Sequence, residues 1–500
     1  MQEEAMKNKI VVVEATSTAF GYLEDIRELG YEPVILESYL PDGYARRTLD
    51  KERKVKYSHI SYPITIIKED PDYDMTLREI KALDPLLVIP GGEEGVITGT
   101  RLANDLGMVG NSYSNIVNMT RKSLMHQSLK KAGLRHIRGT EVKSREDCLR
   151  FLKETGTEDV VLKHDHGAAS VGVHLVHGRD ELLAAFEQEC NADHNMFGEA
   201  ETRFLLQERI FGTEYIVNTI SRDGIPAITS CFRYYKKRMP SGAIIYSGEK
   251  SINEPDEKES ELIDYALKTV CALGITDGPV HGEYMIDKDG PVLIEANYRV
   301  MGGSAPSGWL DRVFGYHETE VILNSMLDKK YHDKFRQRVY RPLRQGYIKD
   351  FSSAVDQPIS SSGIIPILLG MKSFYSGWVD NAGKTDMLYE TKDLETETGC
   401  IFMVHDDPEV VKKEFELLVY IEENYPRLLQ SDGPFLDPPE DASVITPEVL
   451  SVLNEDPEVL AHRIMEYYRD GATDEPVVPE MLLEASPYNR RILELFRSFC

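Results

Sequence analysis

The chain has 500 residues, 41% of them hydrophobic, and a formal net charge of -27. That length exceeds what one core can organise, so two to four domains are expected. The acidity excludes a nucleic-acid face or an anionic membrane surface, both of which need clustered Lys and Arg, and no stretch reaches the ~18 apolar residues of a membrane span.

Acidic residues precede the first short apolar run, MQEEAMKNKIVVVE, and a cytoplasmic location is expected. KIVVVEATSTAFGYLEDIRELGYEPVILES predicts strand, turn, amphipathic helix and strand, and DPLLVIPGG a further buried strand ending in glycines. This α/β opening domain runs over 1–115. Gly21 is too isolated for a GxGxxG dinucleotide fingerprint. NIVNMTRKSLMHQSLKKAGL predicts a helix stopped at Gly133, and strand, loop, strand and helix follow through 158–190. Domain 116–206 therefore joins a linker helix to a small α+β unit.

Within that unit, LKHDHGAASVGV places Lys163 ahead of a run of small residues. Such a loop brings backbone N-H groups close to an anion, since no branched Cβ intervenes. It is not a Walker A loop, because the lysine lies upstream and Val173 follows Gly172. A tight turn on a surface hairpin is the other reading.

TRFLLQERIFGTEYIVNTISRDGIPAITSCFRYYKK alternates as antiparallel strands turning at Asp223 and Gly224, and ESELIDYALKTVCALGI is helical. HGEYMIDKDGPVLIEANYRVMGG then reads as a hairpin. A three-residue loop of Lys288, Asp289 and Gly290 sets Glu283 opposite Glu295, with Asn297 on the same face. Facing carboxylates repel. A divalent cation between them turns that conflict into a site, and oxygen donors without thiolate suit Mg²⁺ or Mn²⁺. An exposed acidic hairpin edge is the alternative. Domain 207–335 carries this hairpin, 336–432 is an α+β extension ending in the helix PEVVKKEFELLVYIEENY, and 433–500 is an acidic, Pro-rich helical tail. Six cysteines (Cys148, Cys190, Cys231, Cys271, Cys400 and Cys500) stand singly, as reduced thiols rather than zinc ligands or disulfides.

Lys163, the small-residue loop and Glu283, Glu295 and Asn297, in this order, resemble the ATP-grasp superfamily, and within it the carboxylate-amine ligases. EANYRVMGG, the N-terminal organisation and GCIFMVHDDPEVV look most like the L-amino-acid ligases that make dipeptides. The resemblance implies an α/β and α+β multidomain chain, an ATP-grasp fold behind an N-terminal α/β domain. It implies that Lys122 and Lys163 meet the α- and β-phosphates of ATP and that Ala169, Ser170 and Val171 form the loop folding over them. Gln207, in place of the more frequent Glu, and Glu208 would hold adenine, and Glu214 the ribose. Of Arg233, Lys236 and Lys237, one would reach the γ-phosphate, with Lys236 chosen, unless the three are a solvated strand face. Glu283, Glu295 and Asn297 would hold Mg²⁺, or Mn²⁺. Arg299 and Gly302, in the E-x-N-x-R-x-x-G pattern, would stabilise the acyl phosphate and the oxyanion. A surface ion pair is the other reading of Arg299, and His281 reads as strand filler more than as a group orienting the metal ligands. Gly303 stands where some relatives crowd the acceptor pocket with an aromatic.

The implied activity is ATP-dependent amide or peptide bond formation between an amino acid or other small carboxylate and an amine, through an acyl phosphate with release of ADP. Transfer to a carrier-protein thiol and a non-catalytic nucleotide-binding regulator are the alternatives, and a homodimer is one option for assembly.

Overall fold

Valine and isoleucine alternate between two cores in the opening sheet. Strands β1 (Lys9–Val13), β2 (Glu32–Glu37), β3 (Thr65–Lys68) and β4 (Leu87–Pro90) lie in the order β3-β2-β1-β4, all parallel. Ile10, Val12, Ile35 and Ile89 enter one core cluster, while Val11, Val13, Val34, Leu36 and Val88 enter another. A parallel sheet covered on both faces reads as continuous apolar runs. That is how the sequence shows it, and the expected helix is present at Tyr22–Glu28. Helices Tyr44–Tyr57, Tyr73–Ala82 and Val96–Asp105 complete the α/β pattern.

The computed structural model describes residues 8–41, 44–115, 120–167, 172–191, 203–358, 368, 371–379, 387–392 and 396–424. Ala169, Ser170 and Val171 and the tail 433–500 lie outside them. The chain divides into two units: Met1–Cys231 with Glu254–Ser307 and Tyr316–Arg341, and Phe232–Asn253 with Gly308–Gly315 and Pro342–Cys500.

In the first unit the linker helix Lys122–Lys131 starts after an extended Arg121, at φ -119°. Gly133, at φ +71°, follows its end as expected. Next come β5 (Gly139–Val142), β6 (Asp159–His164), β7 (His174–His177) and β8 (Phe204–Glu208), an antiparallel sheet in the order β5-β8-β6-β7. Helices Arg145–Thr155 and Gly178–Cys190 share its core, through Cys148, Phe151, Leu182 and Phe186. Strand β9 (Thr213–Arg222) turns at Asp223 and Gly224 into β10 (Ile225–Arg238), followed by β11 (Ile244–Ser251). Both turn residues have positive φ, 52° and 75°, as a two-residue hairpin of right-twisted strands requires. Helix Glu257–Ala272 begins in a capping box of Asp256 and Glu259. Strand β12 (Gly278–Asp287) then pairs with β9 on one side and β13 (Gly290–Asn297) on the other, all antiparallel.

The strands of the second unit, β11 among them, pair antiparallel. Gln345–Phe351 pairs with β11 and with Gly399–His405, which pairs with Phe374–Val379, and the helix Pro408–Asn424 follows. Its core stacks Phe232 on Trp309, whose indole N-H donates to the Met403 carbonyl at 3.0 Å.

Candidate active site

The β12–β13 hairpin pairs Glu283 with Glu295, as the sequence predicts, but by another route. The ladder closes at Asp287 and Gly290 around two residues, Lys288 and Asp289, which alone would place Ile294 opposite Glu283. A bulge leaves Ile294 unpaired and returns Glu295 to that position. Tyr265, on the helix Glu257–Ala272, holds the bulge: its hydroxyl accepts the Leu293 amide at 3.2 Å and donates to the Arg135 carbonyl at 2.6 Å. The next pair is His281 with Asn297, and on the far side Glu214, Ile216 and Asn218 of β9 stand opposite Met285, Glu283 and His281. Glu214, His281, Glu283, Glu295 and Asn297 therefore share one face of the sheet.

His281 is more than filler. Its Nδ1 donates to Asn218 Oδ1 at 2.8 Å, because Asn218 spends its amide hydrogens on Ser230 and on Glu318. That fixes Nε2 toward Glu283, 3.4 Å from Oε1. The imidazole thus lies against Glu283 inside the sheet face, a contact that a lone histidine in HGEY does not reveal.

Two buried lysines meet this face. Lys122 Nζ lies 2.9 Å from Glu295 Oε2 and donates to the Gly167 carbonyl at 2.6 Å, joining the hairpin to the start of the small-residue loop. Asn297 Nδ2 donates to the other oxygen of Glu295 at 3.1 Å. Burial opposes charge on Lys122, yet Glu295 and more distant carboxylates hold its pKa above the ordinary value. Lys163 has no ion-pair partner among the described residues: burial and the neighbouring Lys122 lower it to about 8. Asp165, two residues on, was not anticipated. Its carboxylate accepts from the Ser123 amide and hydroxyl, both at 2.7 Å, and caps the helix that carries Lys122. At the other end of the loop Gly172 has φ +69°, and a Cβ there would meet the His164 ring at 2.4 Å. His164 is itself tied to Glu189 at 2.9 Å.

Alternation along β8 separates the two expected adenine contacts. Gln207 is 2% exposed and its Nε2 has no hydrogen-bond partner among the described residues, a donor set for an acceptor from outside the chain. The Glu208 side chain turns to the opposite side and pairs with Arg138 at 2.7 Å, so its carboxylate already has a cation. In the second unit Lys237 is held by Glu422 at 2.7 Å, Lys236 lies over the Tyr246 ring at 4.4 Å, and Arg233 keeps a buried Nε without a partner among the described residues. Of the three basic residues, Arg233 has the orphaned donor.

Arg299 is not a surface pair. Its guanidinium is largely buried and donates to Glu93 Oε2 at 2.7 Å, with Nη1 on the Val300 carbonyl at 3.0 Å. Burial works against the charge and Glu93, then Glu283 and Glu295, outweigh it, raising the pKa. Glu93 follows the glycines after β4, and the loop after a parallel strand's carboxyl end is where α/β sheets bind ligands. That signal, in PGGEEG, could have found it. Beside it Glu94 is driven up to about 7 by burial and by Glu14 and Glu93. The Gly302 carbonyl accepts from Thr18, in the loop after β1, at 3.0 Å, and nothing stands within 4 Å of where its Cβ would be.

Known proteins resemble this chain in sequence and in fold. A family model described as an ATP-grasp domain matches residues 157–307. Dapdiamide A synthase of Enterobacter agglomerans is 24% identical over 424 residues, covering 81% of this chain and 94% of that protein. A D-alanine--D-alanine ligase of Staphylococcus haemolyticus is 24% identical over 268 residues, covering 51% and 74%. Among solved structures, the L-amino acid ligase from Bacillus licheniformis superposes with a TM-score of 0.63 at 16% identity, covering 83% of this chain and 97% of that one. No described helix is long and apolar enough to cross a membrane. The chain carries an ATP-grasp domain, in the fold that these proteins share.

Proposed function

We propose that this chain is an ATP-dependent carboxylate-amine ligase that forms an amide between an amino acid or similar small carboxylate and an amine, in the cytoplasm. The carrying observation is the shared sheet face of Glu214, His281, Glu283, Glu295 and Asn297, bound through Glu295 to Lys122. ATP fits what the site offers: a buried donor on Gln207 without a partner among the described residues for a base, and two buried ammonium groups for phosphates. Facing carboxylates with an amide oxygen beside them fit Mg²⁺ or Mn²⁺, held by Glu283, Glu295 and Asn297, and such an ion would neutralise charge on the β- and γ-phosphates. A substrate carboxylate attacking the γ-phosphorus is anion on anion. Lys122 and Lys163 offset that repulsion, and Arg299, fixed by Glu93, is poised for the charge that grows on the acyl oxygen when the amine attacks.

The reaction class is tested by product balance. ADP and amide are expected in equal amounts, and hydroxylamine in place of the amine is expected to give a hydroxamate. Pyrophosphate release would contradict γ-phosphoryl attack, and amide formation only after a thiol-bearing carrier is added would favour acyl transfer to the carrier.

Lys163 gives a pH signature. With a free-state pKa of about 8, it is mostly neutral at pH 8.5, and a bound phosphate would raise that pKa. ATP binding at pH 8.5 is therefore expected to take up a fraction of a proton, and affinity to fall as pH rises above 8. Calorimetry in buffers of different ionisation enthalpy reads this directly, and Lys163→Ala should remove most of the uptake.

A further inference from the structure

The second unit holds a buried acidic group that the ligase reading does not use. Asp350 pairs across the sheet with Cys400, and Cys400 with Trp378. Glu249 stands opposite Ile348, two residues before Asp350, so Glu249, Asp350 and Cys400 lie on one face. Glu397, on the segment entering the strand Gly399–His405, reaches the same place: one ligand atom from each of Asp350, Glu397 and Cys400 lies within 4.8 Å of the others. Asp350 and Cys400 are buried. Lys349 offsets their charge only in part, since its ammonium is hydrogen-bonded to Glu422 at 2.9 Å and to the Asp350 backbone carbonyl rather than to these side chains.

A second observation is independent of the acids. Glu397 Oε1, Thr398 Oγ1 and Ser376 Oγ are shut off from solvent with no hydrogen-bond partner among the described residues. Thr398 is only 3% exposed and precedes Cys400 by two; Ser376 precedes Trp378 by two. Ser376 therefore belongs to the face that carries Cys400, and Thr398 follows Glu397 on the segment entering that strand. Orphaned polar atoms around buried acids point to something the polypeptide does not supply.

We propose that Asp350, Glu397 and Cys400 are ligands of a buried divalent cation of the zinc class, which ties the strand Gln345–Phe351 to the segment 397–400. Two carboxylates and a thiolate are the O and S donors that zinc accepts in a closed structural site, and the sulfur disfavours Mg²⁺ or Ca²⁺. Glu249 adds negative charge from the same face. Burial pushes the carboxyl of Asp350 up, and burial together with Asp350 pushes that of Glu397 up, which a cation between them would reverse. Metal entry releases the thiol proton and the proton the carboxyls share. The ligands come from separate segments, which is why six single cysteines show no zinc spacing.

The test uses the full chain, stripped with a chelator and titrated with Co²⁺ and then Zn²⁺. One Co²⁺ per chain with a thiolate-to-cobalt charge-transfer band in the near ultraviolet is expected, displaced by Zn²⁺. The oxygen-only set at Glu283 and Glu295 cannot give that band. Cys400→Ala should abolish it and weaken zinc by at least ~10-fold, whereas Cys148→Ala should keep it. The thermal midpoint should fall by several degrees on chelation in the wild type. If Cys400→Ala does not fold, Cys400→Ser and the wild-type spectrum still decide. A chain that gives no band with Co²⁺, a band that survives in Cys400→Ala, or a midpoint identical in zinc and in chelator would overturn the site and leave a proton shared between Asp350 and Glu397.

Discussion

Glu295→Gln is expected to lower turnover by ~10³-fold, equivalent to about 4 kcal/mol of transition-state stabilisation. The amide keeps the size of the side chain and can still accept from Asn297. What it loses is charge. Glu295 is the ion-pair partner of Lys122, and the two lysines hold its carboxyl well below the usual range against the effect of burial. Removing the carboxylate leaves Lys122 and Lys163 side by side in a buried setting, and takes a charged oxygen from the set that would hold the divalent cation. Unpaired buried charges usually cost about 3–5 kcal/mol. Here the cost should be smaller, because Lys122 keeps its bond to Gly167 and lies in the field of Glu283. The protein should therefore fold, bind ATP and turn over poorly. ADP release in saturating carboxylate, amine and Mg²⁺ measures it, and near-normal turnover would remove Glu295 from the reacting site.

Local pattern carried the strands and the acids; long-range packing decided what each acid does. The pairing of Glu283 with Glu295 was legible from Gly290 and the alternation, yet the structure reaches it through a bulge at Ile294 that depends on Tyr265, 28 residues before Leu293. A window confined to the hairpin contains no sign of that hydroxyl. Gln207 and Glu208 are adjacent, so alternation says that only one can face a nucleotide, but choosing between them needs Arg138, 70 residues upstream. The role of His281 likewise depends on Asn218 and Glu318, which come together only when β9, β12 and the helix Glu318–Leu327 pack. Glu93 shows the same limit most sharply, since 206 residues separate it from the guanidinium it fixes.

That pair carries the second large effect. Arg299→Ala is expected to reduce turnover by ~10²- to 10³-fold, the usual cost of removing a donor aimed at a developing oxyanion. It should also destabilise the protein, because Glu93 is left partly buried, beside Glu94, without its cation. A fall in activity alone would not separate these effects. Glu93→Gln added to Arg299→Ala removes the stranded charge, so the double variant should recover thermal stability relative to Arg299→Ala while turnover stays low. If Arg299 served only to neutralise Glu93, relieving that need would restore activity together with stability. Recovery of both in the double variant would therefore reduce Arg299 to a structural cation, whereas recovery of stability alone places its guanidinium on the reacting atoms, with the loop after β4 as the clamp that keeps it there.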